Sequence, residues 1–238
     1  MKHFLLLPLF AAVLLIPSCA SQIDGILKEG GSAGLGIQAA LEPRMTSLIR
    51  TLNATMGKGN PDLVLDGASI GRAMEESPGV RSVVLFNTGP ASLVGNASIN
   101  RVDEFVMHDK GAPFISYDDH LINGVPSGYM NISLNRDNMP KLIALLSNDV
   151  VDYLSALMAP VILEEDIPKN EYLSMVSSLY GKPIADEMRD AIIHATVDFP
   201  GPIKSITGGV ASGARAVFKI PLIDVLVLES PISWEVIW

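Results

Sequence analysis

Asp118, Asp119 and His120 form the best candidate in this sequence for a group that binds a metal ion or transfers a proton. Carboxylates and imidazoles act as zinc ligands and as general acids or bases, and His108 and Asp109 precede them in the chain as further candidates. A zinc or calcium site needs about three or more converging ligands, whereas consecutive residues of an extended segment point to opposite faces. We therefore expect weak ligand candidates on a polar loop between strands, and no bound metal.

Motifs for nucleophilic catalysis or phosphate binding are incomplete. The serine in Gly209-Val210-Ala211-Ser212-Gly213 stands one place too late for the nucleophile elbow of hydrolases. Lys58 and Lys182 each follow a glycine, but the rest of a phosphate-binding loop is missing around both. We expect no catalytic residue and no cofactor, and an enzyme that uses residues 118–120 is kept as a third hypothesis.

Cys19 is the sole cysteine, and it follows a segment typical of a secretory signal. Lys2 places a positive charge before the apolar run of residues 4–16, which is too short to span a bilayer comfortably. The sequence therefore predicts export, with Cys19 at the end of this signal-like stretch.

Around this cysteine the chain resembles a bacterial lipoprotein precursor. Ile16, Ser18 and Cys19 fit the lipobox of that family, while Pro17 stands where the box usually has a small or hydroxylated residue. The resemblance implies a signal peptide over residues 1–18, cleavage between Ser18 and Cys19, and acylation of Cys19 by chains such as palmitate. Two or three acyl chains hold a protein on a bilayer almost permanently, because each buried methylene contributes about 0.8 kcal/mol.

Ala20 affects two predictions, namely which membrane holds the protein and where the signal peptide is cut. Because Ala20 rather than an aspartate follows Cys19, the resemblance favours the outer membrane over the inner membrane of a bacterial cell envelope. Ser18 and Ala20 also form a small-x-small pattern, so an ordinary signal peptidase could cut after Ala20 and discard Cys19. Both cuts remain open at this point.

The net charge limits the classes of partner, and the cysteine content limits how the fold is stabilised. The net charge is −9 and the basic residues do not cluster, so we expect no nucleic-acid partner, which would need a basic stripe. The negative charge also disfavours adhesion to anionic headgroups, so membrane contact should come from the lipid anchor. Since a single cysteine allows no intramolecular disulfide, burial of apolar side chains must hold the fold.

The periodicity predicts an α+β fold, with helices packed on one face of a largely antiparallel sheet. Residues 19–31 are expected to form a lipidated tether, and residues 32–238 a single domain. Residues 32–117 and 127–238 each fit the order strand, helix, helix, strand, strand. This pattern suggests two pseudo-repeated halves.

Specific elements can be placed from caps, breaks and apolar stripes. Four helices are predicted. The first begins at Pro43, the second spans residues 66–77, and the third runs from Asp137 or Asn138 to Met158. The fourth covers residues 170–192, with an interruption near residues 180–183. The predicted strands include residues 34–41, 80–86, 128–134, 193–199, 215–220, 223–228 and 232–238.

The later part of the chain resembles uncharacterised envelope lipoproteins, mainly of the spirochaete type. The residues that carry the resemblance are Asp198-Phe199-Pro200-Gly201-Pro202-Ile203, Gly208-Gly209 and residues 216–226. Actinobacterial lipoproteins share the Phe-Pro-Gly turn more distantly. These are turn and packing residues, so the resemblance implies a location and a fold rather than an activity.

Two hypotheses of different kinds therefore lead. The first is a non-enzymatic lipoprotein, anchored at Cys19, with a structural or protein-interaction role in the envelope. The second is a module that binds an acyl chain or another apolar ligand, since aliphatic helices over a sheet can enclose a pocket. An apolar cavity of roughly several hundred Å³ between the helices and the sheet would favour the second.

Overall fold

A computed structural model of the chain describes residues 21–56, 63–102, 104, 114–143 and 148–238. These residues form a seven-stranded and a four-stranded sheet, both mostly antiparallel, with helices packed against them. The predicted α+β class is therefore confirmed. Residues 1–20, which include the predicted signal peptide and Cys19, and the pair His108 and Asp109 lie outside the described residues, so what the sequence predicts for them remains a prediction.

The larger sheet has seven strands. They are β1 (Ser21–Leu27), β2 (Ala33–Ala40), β3 (Val80–Gly89), β4 (Ser92–Ile99), β7 (Ile192–Asp198), β9 (Val210–Ser212) and β10 (Arg215–Pro221). Their order across the sheet is β3-β4-β2-β1-β7-β10-β9. β1 pairs antiparallel with β2 and parallel with β7, so it lies in the middle of the sheet.

The smaller sheet has one face in the core. Its strands are β5 (Ile115–Ile122), β6 (Val125–Leu134), β8 (Ser205–Thr207) and β11 (Ile232–Ile237), in the order β5-β6-β11-β8. Met130 and Ile132 of β6 and Trp234 and Val236 of β11 are buried on the inner face. Polar residues such as Asn131 occupy the alternate positions, as expected for a sheet with one solvated face.

Helices cover the inner face of the larger sheet. They are α1 (Pro43–Met56), α2 (Gly67–Glu75), α3 (Met139–Ile143), α4 (Asn148–Leu157), α5 (Ala159–Ile162), α6 (Lys169–Tyr180), α7 (Lys182–Asp190) and α8 (Leu222–Val227). Asp66 caps α2 by accepting hydrogen bonds from the backbone N–H groups of Ala68 and Ser69. Gly71 of α2 lies against Val83 of β3, so the helix packs closely on the sheet. The opposite side of the sheet, called the open face below, carries exposed residues.

The tether expected over residues 19–31 is wrong for the described part. Ser21–Leu27 forms β1, and its residues alternate between buried and exposed positions. Lys28 then leads into a 3-10 turn at Glu29–Gly31. The alternation of polar and apolar residues in this segment is a strand signal, and β2, its antiparallel partner, follows directly in the chain.

Two further elements differ from the sequence prediction. Residues 223–228 are not a strand, because Leu222–Val227 forms α8, which buries all its residues except Asp224. A helix buried on nearly every side has no helical periodicity, so its β-branched residues imitate a strand. Ile115–Ile122 forms β5, whereas a polar loop was expected at residues 118–120.

The two predicted halves do not share a sheet arrangement. Ala33–Ala40 and Val125–Leu134, the strands that begin the two halves, lie in different sheets. The long helix predicted to end at Met158 is described as α3 and α4, on either side of residues 144–147, which are not described. The interruption expected near residues 180–183 occurs at Gly181, between α6 and α7.

Within the described ranges, no helix combines the length and the apolar character needed to cross a membrane.

Candidate functional site

The β5–β6 hairpin carries the three residues that the sequence selected as weak ligand candidates. Its turn is Asn123-Gly124, and both residues have left-handed φ values, 53° and 78°. This conformation suits a two-residue hairpin loop, which explains the Asn-Gly pair. Leu121, Ile122 and Val125 beside the turn are exposed.

The hairpin separates the three candidates rather than bringing them together. Asp118 and His120 share the outer face, with Asp118 Oδ2 lying 3.8 Å from His120 Nδ1, and both side chains are more than half exposed. Asp119 points to the other face, where its carboxylate accepts a hydrogen bond of 2.7 Å from the backbone N–H of Gly30. Asp119 therefore ties the hairpin to the turn after β1. Among the described residues, no three His, Cys, Asp or Glu side chains meet as metal ligands would.

A cleft of about 180 Å³ opens beside the hairpin. Its lining residues are Glu29, Gly30, Asp119, His120, Leu121, Pro126, Ser127, Pro200 and Trp238. The Trp238 ring is fully buried there, and its centroid lies 5.0 Å from that of Phe199. Two glycines make room for this ring. A Cβ atom on Gly128 would lie 2.3 Å from Trp238 Cζ2, and one on Gly201 would lie 3.3 Å from Trp238 Cδ1.

Ser127 and Lys204 meet behind this cleft. Lys204 Nζ donates hydrogen bonds to Ser127 Oγ at 2.8 Å and to the Trp238 carbonyl at 2.9 Å. Ser127 Oγ donates to the same carbonyl at 2.9 Å. The three groups act as a clamp that fixes Trp238 against β6.

A second concavity, called the helix groove below, lies between α1, α4, α5 and α6. Its volume is about 150 Å³. The lining is mostly aliphatic and aromatic and consists of Leu48, Leu52, Ala156, Leu157, Ala159, Pro160, Glu165, Ile167, Tyr172, Met175, Val176, Leu179 and Tyr180. The groove is apolar, and the polar residue in its lining is acidic.

The apolar stripe of α6 runs past the part of the helix that is covered. Tyr172 and Val176 are buried, whereas Met175 and Tyr180 are exposed and Leu179 is 72% exposed. Tyr172 Oη donates a hydrogen bond of 2.6 Å to the Leu157 carbonyl, and burial raises the pKa of this phenol above its usual value. The buried end of the stripe therefore fixes α6, while Leu179 is presented to solvent.

An acidic segment that includes the lining residue Glu165 lies at one rim of the helix groove. Glu164, Glu165 and Asp166 follow α5 and are exposed. Arg136 anchors this segment by donating to the Glu165 carbonyl at 2.9 Å and pairing with Asp166 at 3.0 Å. The same arginine donates to the Leu228 carbonyl, so the acidic rim is held to the end of α8.

The lipidation candidate Cys19 and the cleavage candidate Ser18 lie outside the described residues, but the start of the fold is close to them. β1 begins at Ser21, which is 1% exposed. Only Ala20 separates that buried residue from Cys19.

No protein-family model matches the chain, and no curated protein matches it either. Among solved structures, the chain is similar to the folded domain of LppM from Mycobacterium tuberculosis, determined by NMR. The two chains are 10% identical and superpose with a TM-score of 0.37, over 91% of this chain and 86% of the other. At this level of similarity, the comparison assigns neither a function nor a partner to this chain.

Proposed function

We propose that this protein is a non-enzymatic lipoprotein of the bacterial cell envelope, anchored through Cys19, that binds a protein partner at the helix groove. The anchor rests on the lipobox residues Ile16, Ser18 and Cys19.

The observation that carries the proposed binding role is the exposed end of the apolar stripe on α6, next to the helix groove. Leu179 is 72% exposed although it continues the stripe of Tyr172 and Val176. Exposed apolar side chains that border a concave apolar surface are typical of protein interaction sites. A partner side chain seated in the groove would cover Leu179 and Met175.

The size of the groove distinguishes a protein partner from an acyl-chain ligand. Small-molecule sites occupy about 300–1,000 Å³, and the helix groove encloses about 150 Å³. A volume near 150 Å³ accommodates a group about the size of benzene. The groove therefore fits one apolar side chain of a partner, which is how interface anchors are usually seated.

Charge defines the partner further. Glu165 lines the groove, Glu164 next to it in the chain is exposed, and the chain as a whole carries a net charge of −9. A complementary partner would carry lysine or arginine residues on either side of its apolar anchor. We propose that the anchored protein faces such a partner from the outer membrane.

Site-specific photocrosslinking tests the groove. A photoreactive amino acid at Leu179 should crosslink to a partner in intact envelopes, and the crosslinked peptide should contain an apolar residue flanked by basic residues. Val210 on β9 provides a matched control position, since it is 73% exposed and lies on the larger sheet away from the groove. Leu179→Asp should abolish copurification of that partner, and Val210→Asp should leave it unchanged. Equal crosslinking from both positions would exclude the helix groove as the binding site.

Extraction of bound lipid distinguishes the alternative function, binding of an acyl chain, from binding of a protein partner. Organic extraction of the purified Cys19→Ala variant, which lacks the anchor, should release no stoichiometric lipid. Bound lipid that disappears in Leu179→Asp would establish the carrier function instead.

Acylation itself is tested by metabolic labelling. A palmitate analogue should label the wild-type protein and leave Cys19→Ala unlabelled. A wild-type protein without label would end the assignment of Cys19 as the anchor.

A further inference from the structure

We propose that one edge of the larger sheet rests on the bilayer beside the lipid anchor, through a patch formed by Val84, Phe86 and Val94. We call these three residues the sheet-edge patch. The inference rests on the acylation of Cys19 proposed above, and it adds the orientation of the fold on the membrane.

The short connection to Cys19 fixes where the membrane must lie. β1 begins at Ser21, two residues after Cys19, and two extended residues span at most about 7 Å. β1 cannot swing away from the fold, because it is paired with β2 on one side and β7 on the other. An acylated Cys19 therefore holds the Ser21 end of the larger sheet against the bilayer surface.

The sheet-edge patch lies at the same end of the sheet. In the strand register, Gln22 of β1 pairs with Gln38 of β2, Gln38 pairs with Val94 of β4, and Val94 pairs with Phe86 of β3. Phe86 is thus in the row next to Ser21. Three strand spacings separate β3 from β1, or about 14 Å at about 4.8 Å each. A modest tilt of the sheet brings this edge to the surface that holds Cys19.

The patch has the chemistry of a lipid contact. Phe86 is 62% exposed, Val84 49% and Val94 40%, and all three side chains lie on the open face. Phe86 and Val94 are cross-strand neighbours, while Val84 precedes Phe86 by two residues on the same side of β3. The patch is therefore continuous, and its large apolar side chains gain free energy on leaving water.

The open face carries different charges on its two sides, and this difference selects the edge that contacts the membrane. Next to the patch, β2 and β4 place the uncharged residues Gln38 and Asn96 on the open face. Beyond β1, the row of residues that contains Phe86 continues on the same face through His194 of β7 to the charged residue Lys219 of β10. Burying charged groups in an apolar medium is costly, so the β3 edge approaches the bilayer and the β9 edge does not.

Lipid-borne quenchers test this orientation on the intact acylated protein. Acylation occupies the thiol of Cys19, so a cysteine introduced as Phe86→Cys or Val210→Cys is the sole free thiol for an environment-sensitive fluorophore. Val210 is the matched control, because it is 73% exposed, and β9 also lies three strands from β1, on the other side. The labelled proteins are inserted into phosphatidylcholine vesicles with and without nitroxide-labelled lipid.

The expected result is a blue-shifted emission at position 86 that nitroxide lipid quenches about twofold or more, as for a side chain at the headgroup boundary, with little change at position 210. A blue shift at 86 without lipid quenching would mean that a protein surface covers the patch, and would overturn the proposal. Equal quenching at both positions would overturn it as well. Mass spectrometry of the wild type separates the two inferences: absence of acyl chains refutes the anchor and this orientation together, whereas an acylated protein without quenching at 86 refutes the orientation alone.

Discussion

The most direct test of the cleft is to add one methyl group at Gly128. In Gly128→Ala, the new Cβ would lie 2.3 Å from Trp238 Cζ2 and 2.6 Å from the Asp118 carbonyl oxygen. Ordinary contacts at such positions begin near 3.4 Å, so each overlap is about 1 Å. The tryptophan cannot move easily, because it is fully buried and packed against Phe199. The carbonyl belongs to the paired backbone of β5.

Overpacking of this kind destabilises a protein by about 1–3 kcal/mol. Because both contacts are rigid, Gly128→Ala should lower the free energy of unfolding by about 3 kcal/mol. With a urea slope of about 2–3 kcal/mol per molar, the unfolding midpoint should fall by about 1 M or slightly more. Tryptophan fluorescence can follow the transition, since Trp234 and Trp238 are the only tryptophans.

Gly36 provides the control, because it also lies in a strand and a Cβ there meets nothing closer than 3.7 Å. Gly36→Ala should be neutral or stabilising by up to about 1 kcal/mol, through the reduced backbone freedom of the unfolded chain. Trp238→Phe removes the atom at Cζ2 and should restore part of the stability lost in Gly128→Ala. If Gly128→Ala and Gly36→Ala unfold at the same urea concentration, Trp238 does not pack over Gly128 and the described cleft is incorrect.

Two further outcomes follow from single contacts. Asp119→Ala should lower the free energy of unfolding by about 1 kcal/mol, because it removes the acceptor for the Gly30 N–H, while the exposed Asp118→Ala should change it little. Urea titrations of both variants compare them, and equal effects would contradict the assignment of Asp119 as the tie. The pKa of Tyr172 is raised above its ordinary value of 10.0 by burial, so the unfolded chain loses this proton first and stability falls as the pH rises above 10.0. Tyr172→Phe should weaken that alkaline decline in stability, although it also loses the hydrogen bond to Leu157; an unchanged slope above this pH would refute the assigned burial.

Elements with a clear period could be predicted from the sequence. The break at Gly181-Lys182-Pro183 correctly divides α6 from α7, and the alternation after Gly128 correctly gives β6. α8 could not be predicted, because residues 222–227 are buried on nearly all sides and no polar face marks the helical period. β1 was predicted to be a tether, although its polar and apolar residues alternate, because the segment directly follows the predicted signal peptide.

In the candidate sites too, the arrangement of residues within one strand could be predicted, whereas contacts between residues far apart in sequence could not. Asp118 and His120 share a face, as residues two apart in a strand must, but only the fold places Asp119 against Gly30. The contact between Ser127 and Lys204 joins residues 77 apart, and neither residue belongs to a recognisable motif. The helix groove likewise depends on how separate helices meet. The exposure of Leu179 could not be distinguished from burial by the periodicity of α6 alone.

The position of β1 has a consequence for how the chain folds. β2 follows β1 directly and can form a local hairpin with it, but the parallel side of β1 pairs Ser21 with Ile193. Bringing Ser21 and Ile193 together closes a loop that contains most of the chain, which is entropically unfavourable. Contacts between residues so far apart in sequence also slow folding. The edge of β1 that pairs with β7 therefore stays unpaired until β7 has been synthesised and reaches it. The middle of the larger sheet is completed late, although its first strand is the first part of the fold to appear.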